Sequence, residues 1–216
     1  MVLQSESDTI QPDTYLITPD WPVERLRDFL LWALDTGIDL IQLRCFSQSC
    51  EQIAALVTWL KGQHGDIRIL LNSGLPGSRQ LAQEFDCGIH WRSRDMLKVG
   101  DDIPRRCAPC AASCHNLQEL KAAEQAGMDF AVLSPVCQTT SHPDSAPIGW
   151  NLFRKWVEMS EIPIYALGGM KFEDINRARN AGAAGLAGIG LFVQRYMRLS
   201  TSRSSSSTLS GGTGTE

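Results

Sequence analysis

Short apolar runs alternate with longer amphipathic stretches along almost the whole chain. Phe130-Ala131-Val132-Leu133, behind Gly127, is a run of the length and composition of a strand buried on both faces. Ser134 then opens a segment of hydroxyls, Cys137 and His142 closed by Pro143 and Pro147, which reads as an ordered loop at the strand's end. The same alternation predicts strands at Tyr15 to Thr18, Leu40 to Arg44, Ile67 to Asn72, Cys87 to Trp91, Ala108 to Ser113, Ile164 to Leu167 and Gly185 to Ile189.

Helical spacing fills the intervals. Leu26, Phe29, Leu30, Ala33 and Leu34 share one face, and Gly37 ends that helix. Ser49 is placed to cap a helix that carries Ile53, Leu56, Val57 and Leu60. Arg79 to Phe85 reads as a short helix, and Asn116 caps another with Leu117, Leu120 and Ala123. Trp150, Phe153, Trp156 and Val157 mark the next, followed by helices over Phe172 to Ala181 and Leu191 to Leu199. Arg92 to Arg106 is polar and carries at most a weak helical signal.

Eight strand-then-helix units in about 185 residues imply a parallel sheet closed into a single α/β domain, a (β/α)8 TIM barrel. An open doubly wound sheet uses fewer strands, and no GxGxxG follows the first strand to support a dinucleotide fold. The barrel is expected over residues 14–199, behind a flexible arm at 1–13. Fourteen of the seventeen residues from 200 to 216 are Ser, Thr or Gly, so that tail is expected to stay disordered.

Composition narrows the function classes. A net charge of −4 without Lys/Arg clusters argues against nucleic-acid binding. Met1 to Thr14 lacks the apolar core of a signal peptide, and no stretch approaches the ~18 apolar residues of a membrane span, so a cytoplasmic location is expected. Seven cysteines, an odd count, then read as reduced thiols. Cys107-Ala-Pro-Cys110 with Cys114 has metal or redox spacing, but no second pair completes a zinc site, and strand character at Cys110 favours buried structural thiols.

In such a barrel every strand's C-terminal end faces one mouth. Those ends supply Gln42 and Arg44, Asn72, His90 with Asp95 nearby, Ser113 and His115, then Ser134 with Thr139, Ser141 and His142. Gly168-Gly169 and Gly188-Ile189-Gly190 close strands seven and eight, where barrels commonly bind phosphate on backbone N–H groups and a helix N-terminus. Arg44 offers a bidentate cation to an anionic group. His90 is expected to be structural, packed under the mouth.

This set of residues resembles the thiamin phosphate synthase family, including its TenI-like thiazole tautomerase branch. The matching pieces are Ile38 to Arg44, Gly88-Ile89-His90 with Asp95, Ser113-Cys114-His115 with Glu119, Leu133-Ser134-Pro135-Val136 with Thr139, and Leu167-Gly168-Gly169-Met170. Ser134-Pro135-Val136 and Gly185 to Ile189 look most like the synthase-like domain found fused to Nudix hydrolases, although no Nudix box is present. The resemblance implies a small-molecule partner, a thiazole phosphate or related phosphate ester. It also leaves room for a homo-oligomer and for a Nudix hydrolase partner.

Synthases of that family join an aminopyrimidine diphosphate to a thiazole phosphate with Mg²⁺ and release diphosphate. Against their pattern, Phe46 stands where a Lys is expected, and Ser73-Gly74 replaces an Asp-Arg pair. Arg92-Ser93 replaces Gly-Gln, and His142 replaces a Lys. Asp95 alone retains a metal-ligand position. The diphosphate half of the site looks eroded and the monophosphate half kept. The leading expectation is therefore a TenI-like enzyme that needs no cofactor, in which His115, beside Ser113, moves a proton. In either case Gln42, Arg44, Asn72, Thr139, Ser141, His142, Gly168, Gly169, Ile189 and Gly190 are expected to bind the substrate or its phosphate, and the first alternative is a Mg²⁺-dependent synthase in which Arg92, Arg94 and His142 replace the lysines. A non-catalytic phosphate-binding barrel is the second.

Overall fold

A computed structural model describes residues 13–63, 65–99, 109–139 and 146–206. The strands β1 (Thr14–Ile17), β2 (Leu40–Leu43), β3 (Arg68–Asn72), β4 (Gly88–Trp91), β5 (Cys110–Cys114), β6 (Phe130–Leu133), β7 (Ile164–Ala166) and β8 (Gly185–Gly188) form one closed barrel in chain order. Every pairing is parallel, and β1 closes the ring on β8 through Tyr15 opposite Ala187. The eight-stranded barrel read from the alternation is thus the observed architecture.

Strand periodicity divides the apolar residues into two cores. Leu16, Ile41, Leu43, Ile69, Leu71, Ile89, Trp91, Ala112, Ala131, Leu133, Ala166 and Leu186 point outward into the layer shared with the helices. Tyr15, Ile17, Leu40, Leu70, Ala111, Phe130, Val132, Tyr165 and Ala187 fill the barrel interior. Both faces are buried, which is why the strands read as continuous apolar runs.

The helices α1 (Val23–Asp35), α2 (Cys50–Lys61), α3 (Ser78–Glu84), α4 (Ser93–Val99), α5 (Leu117–Gln125), α6 (Trp150–Glu158), α7 (Ile175–Asn180) and α8 (Gly190–Ser206) alternate with the strands. Ser49 caps α2 in a capping box, accepting from the N–H of Gln52 while the Gln52 side chain accepts from the N–H of Ser49. Asn116 accepts from the N–H of Glu119 at the start of α5. Both caps were legible from side-chain chemistry.

Three boundaries differ from expectation. The polar stretch after β4 forms the definite helix α4, because Met96 is buried and Asp95 lies in the first turn. The expected helix over Phe172 to Ala181 begins as a single 3₁₀ turn at Phe172–Asp174 before α7. Helix α8 runs to Ser206, seven residues past the expected Leu199. Residues 1–12, Cys107, the Thr140 to Ser145 part of the β6 loop and residues 207–216 lie outside the described residues. Cys110 and Cys114 are buried, and burial pushes the Cys114 thiol up to about 12, so Cys114 is not poised as a nucleophile.

Candidate active site

The upper end of the barrel interior is polar, and its side chains form one connected chain across five strands. The backbone N–H of Gly74 donates to Asn72 Oδ1 (3.0 Å), and Asn72 Nδ2 donates to Gln42 Oε1 (3.0 Å). Gln42 Nε2 then donates to the Tyr15 hydroxyl (3.1 Å). Tyr15 Oη lies 3.0 Å from His90 Nδ1, and His90 Nε2 lies 2.7 Å from Ser113 Oγ. Gln42, Asn72 and His90 are all buried, so the expected ligand-binding amides are first of all partners of one another. His90 packs under the mouth, as expected, and burial without a compensating charge lowers its imidazole to about 3, so it is neutral at physiological pH.

Tyr15 was missed. In the sequence it is one apolar member of β1, and nothing local distinguishes its hydroxyl. Thr18 was missed as well. It is fully buried at the end of β1, and its Oγ1 accepts from the N–H of Arg44 (2.8 Å), fixing the start of the β2 loop.

His115 stands above this layer, exposed at the end of β5. Its Nδ1 lies 2.9 Å from the Ser134 carbonyl, an acceptor, so in the neutral ring the proton sits on Nδ1 and the lone pair on Nε2. The His115 N–H donates to Glu119 (2.8 Å), which ties the loop to the first turn of α5. Ser134 precedes a cis Ser134–Pro135 peptide and lies 3.3 Å from the same His115 nitrogen. Thr139 is half-buried farther along that loop, while Ser141 and His142 lie outside the described residues.

The cationic side of the mouth is organised by Asp95. Its Oδ2 accepts from Ser73 Oγ (2.6 Å) and Arg92 Nε (2.5 Å), and Arg94 lies 3.9 Å from Oδ1. Burial alone would raise this carboxyl, but the bonds from Arg92 and Ser73 outweigh it and hold it below the usual carboxylate range. The Arg92 guanidinium occupies the space that a side chain on Gly74 would need. Arg44 is half-buried with its guanidinium 4.8 Å from the Phe46 ring centroid.

The described residues offer Mg²⁺ no all-protein cage, so an ion here would need substrate phosphates and water to complete its shell. Asp95 already accepts two hydrogen bonds and pairs with arginine, and among the described residues no group of three or more His, Cys, Asp or Glu gathers to hold a metal.

Opposite lie the glycines. Gly168 and Gly169 have φ of +93° and +70°. A Cβ on either would collide with the β6 loop, at Pro135 for Gly168 and at Cys137 and Gln138 for Gly169. The loop is held there by bonds from the N–H of Val136 to Leu167 O and from the N–H of Cys137 to Gly168 O. Ile189 and Gly190 lead straight from β8 into α8, with Gly190 exposed at the helix N-terminus and open space where a Cβ would sit.

A family model described as thiamine monophosphate synthase matches residues 14–192, which contain all eight strands. The chain belongs to that family. A putative thiamine-phosphate synthase 2 of Aquifex aeolicus is 44% identical over 174 residues, covering 79% of this chain and 91% of the relative. A thiamine-phosphate synthase of Levilactobacillus brevis is 29% identical over 187 residues, covering 82% and 84%. Among solved structures, a thiamine phosphate pyrophosphorylase from Pyrococcus furiosus superposes with a TM-score of 0.68 at 25% identity, covering 83% of this chain and 86% of that one. These names favour the synthase over the tautomerase reading. The membership also makes this a biosynthetic enzyme family whose substrates are small phosphate esters. Among the described residues no helix is long and apolar enough to cross a membrane.

Proposed function

We propose that this protein is a thiamin phosphate synthase, a transferase that joins an aminopyrimidine diphosphate to a thiazole phosphate and releases diphosphate. What supports the reading most is a family match that spans the whole barrel, with relatives named for that reaction. The thiazole phosphate would lie on the backbone N–H groups at Gly169 and Ile189-Gly190, where α8 begins and the first N–H groups of a helix, which have no partner within it, and the helix field favour an anion. The aminopyrimidine would stand over Ser113 and His115.

The diphosphate needs cations as its bond to the pyrimidine methylene breaks and negative charge grows on the leaving oxygen. Arg44 and Arg92 would supply them. Arg92 fills the space over Gly74, so the neighbouring strand's end delivers positive charge close to where the family pattern has an arginine. With Arg92 in that space, the diphosphate half of the mouth keeps a cation despite the loss of the family's Asp-Arg pair. His142, where a Lys is expected, would add a part-time cation, and Thr139 and Ser141 would close over the anion.

One observation favours the second reading. His115 is exposed and turns its Nδ1 to a carbonyl, which makes Nε2 the basic nitrogen of the neutral ring, the atom that would shift a proton on a thiazole carboxylate phosphate. Incubating the protein with both synthase substrates, with and without Mg²⁺, and separately with the thiazole carboxylate phosphate tautomer, decides between them. Thiamin phosphate and diphosphate in equal amounts are expected. Isomerised thiazole without condensation would replace the proposal with the tautomerase, and ligand binding without either product would replace it with a non-catalytic barrel.

A further inference from the structure

The hydrogen-bond chain inside the barrel has a direction, and its origin is a backbone group. Gly74 N–H can only donate, so the Asn72 atom that meets it is Oδ1, and Nδ2 faces Gln42. The Gln42 atom facing Asn72 must then be Oε1, and its Nε2 donates to Tyr15 Oη. Tyr15 is fully buried, and His90 Nδ1 is the acceptor in reach of its single hydroxyl hydrogen. Pointing that hydrogen elsewhere would leave a buried donor without an acceptor, which costs more than the bond itself is worth. The hydroxyl therefore donates to Nδ1. A neutral imidazole then carries its proton on Nε2, which donates to Ser113 Oγ across 2.7 Å. Burial keeps the ring neutral by disfavouring the imidazolium.

With Ser113 Oγ accepting from His90, its own hydrogen points elsewhere, and Ser113 is half-buried at the mouth end of β5. We infer that Tyr15 and His90 are positioning residues that fix the Ser113 hydroxyl as a hydrogen-bond donor toward a ligand acceptor at the barrel mouth. The groups it suits are a ring nitrogen or an anionic oxygen. His90 cannot take the Ser113 proton, because the facing nitrogen already holds one, so Ser113 is not an activated nucleophile. Tyr15 lies three links from Gly74 and one from His90, yet without its hydrogen nothing holds the tautomer. In Tyr15→Phe the imidazole is free to move its proton to Nδ1, and the Ser113 hydrogen would turn inward to Nε2. The ligand side of this inference rests on the site proposed above, while the tautomer side does not.

Two measurements test it. The first is long-range ¹H–¹⁵N NMR of the ¹⁵N-labelled wild-type protein near neutral pH. The expected pattern is a neutral His90 with the proton on Nε2, changing in Tyr15→Phe and unchanged in Ser113→Ala. An Nδ1–H tautomer or an imidazolium in the wild type overturns the inference, and the wild-type spectrum needs neither activity nor a folded variant. The second is a cycle of kcat/KM for the aminopyrimidine diphosphate. Tyr15→Phe is expected to cost about tenfold in the wild-type background and less than about twofold in Ser113→Ala, where no hydroxyl is left to orient. An equal cost in both backgrounds, the signature of general structural damage, overturns the inference. If no condensation occurs at all, the functional reading fails and the NMR result still decides the tautomer.

Discussion

At the residue scale, His90 shows how a barrel interior changes a side chain's chemistry. In the unfolded chain it takes up a proton near pH 6.5, whereas in the folded barrel burial lowers that to about 3. Between those values the unfolded chain binds a proton that the native barrel excludes. The stability contribution is therefore complete above pH 6.5 and falls as the pH drops toward 3, by about 1.4 kcal/mol per pH unit. His90→Gln should unfold with a shallower pH dependence than the wild type between these limits, measured by urea titration at stepped pH; identical slopes would contradict it. Arg92 makes the second residue-scale case. Its bond to Asp95 aims the guanidinium over Gly74, so Asp95→Ala, which leaves the charge but frees the side chain, should raise KM for the aminopyrimidine diphosphate by roughly tenfold. Steady-state kinetics at fixed thiazole phosphate will show it, and an unchanged KM would remove Arg92 from the diphosphate site. The order Gln42, Asn72, then Ser113 with His115 at the ends of β2, β3 and β5 could be read from the chain. That Gln42 and Asn72 spend their polar atoms on each other could not, because the pairing depends on β2 and β3 being neighbours in register, with Gln42 opposite Leu70.

At the scale of elements, the β7 end and the β6 loop act as one unit. Gly168 and Gly169 carried a phosphate signal in the sequence, yet their positive φ and the closeness of Pro135, Cys137 and Gln138 give them a packing reason as well. Gly169→Ala meets both a left-handed backbone and the Gln138 carbonyl, so it should lower stability by about 1–3 kcal/mol. The check is a thermal melt alongside Gly190→Ala, whose Cβ meets open space. Gly190→Ala should leave the melting temperature nearly unchanged, and equal losses in the two variants would show that the loop contact matters little. Helix caps such as Ser49 and Asn116 were legible because they act over three residues. Helix α4 was not, because what anchors its polar sequence is Met96 buried against distant elements.

At the scale of the molecule, a parallel barrel gathers one end of every strand around a single mouth, which is why scattered weak signals converge on one candidate site. If that mouth binds the proposed substrate, thiazole phosphate at a hundredfold over its Kd should stabilise the fold by about 2.7 kcal/mol, a rise of roughly 5–10 °C in melting temperature for a chain of this size. Inorganic phosphate should give a smaller shift, and no shift with either would place the ligand elsewhere. The sequence by itself determined the alternation of strands and helices, the closed barrel and the family pattern, since each rests on periodicity and on residues near one another in the chain. Only the tertiary structure decided that Tyr15 joins the polar layer, that Arg92 fills the gap over Gly74 and that Asp95 is already paired. Those facts depend on which strands lie side by side and on which face each residue points to, and closure of the ring sets both.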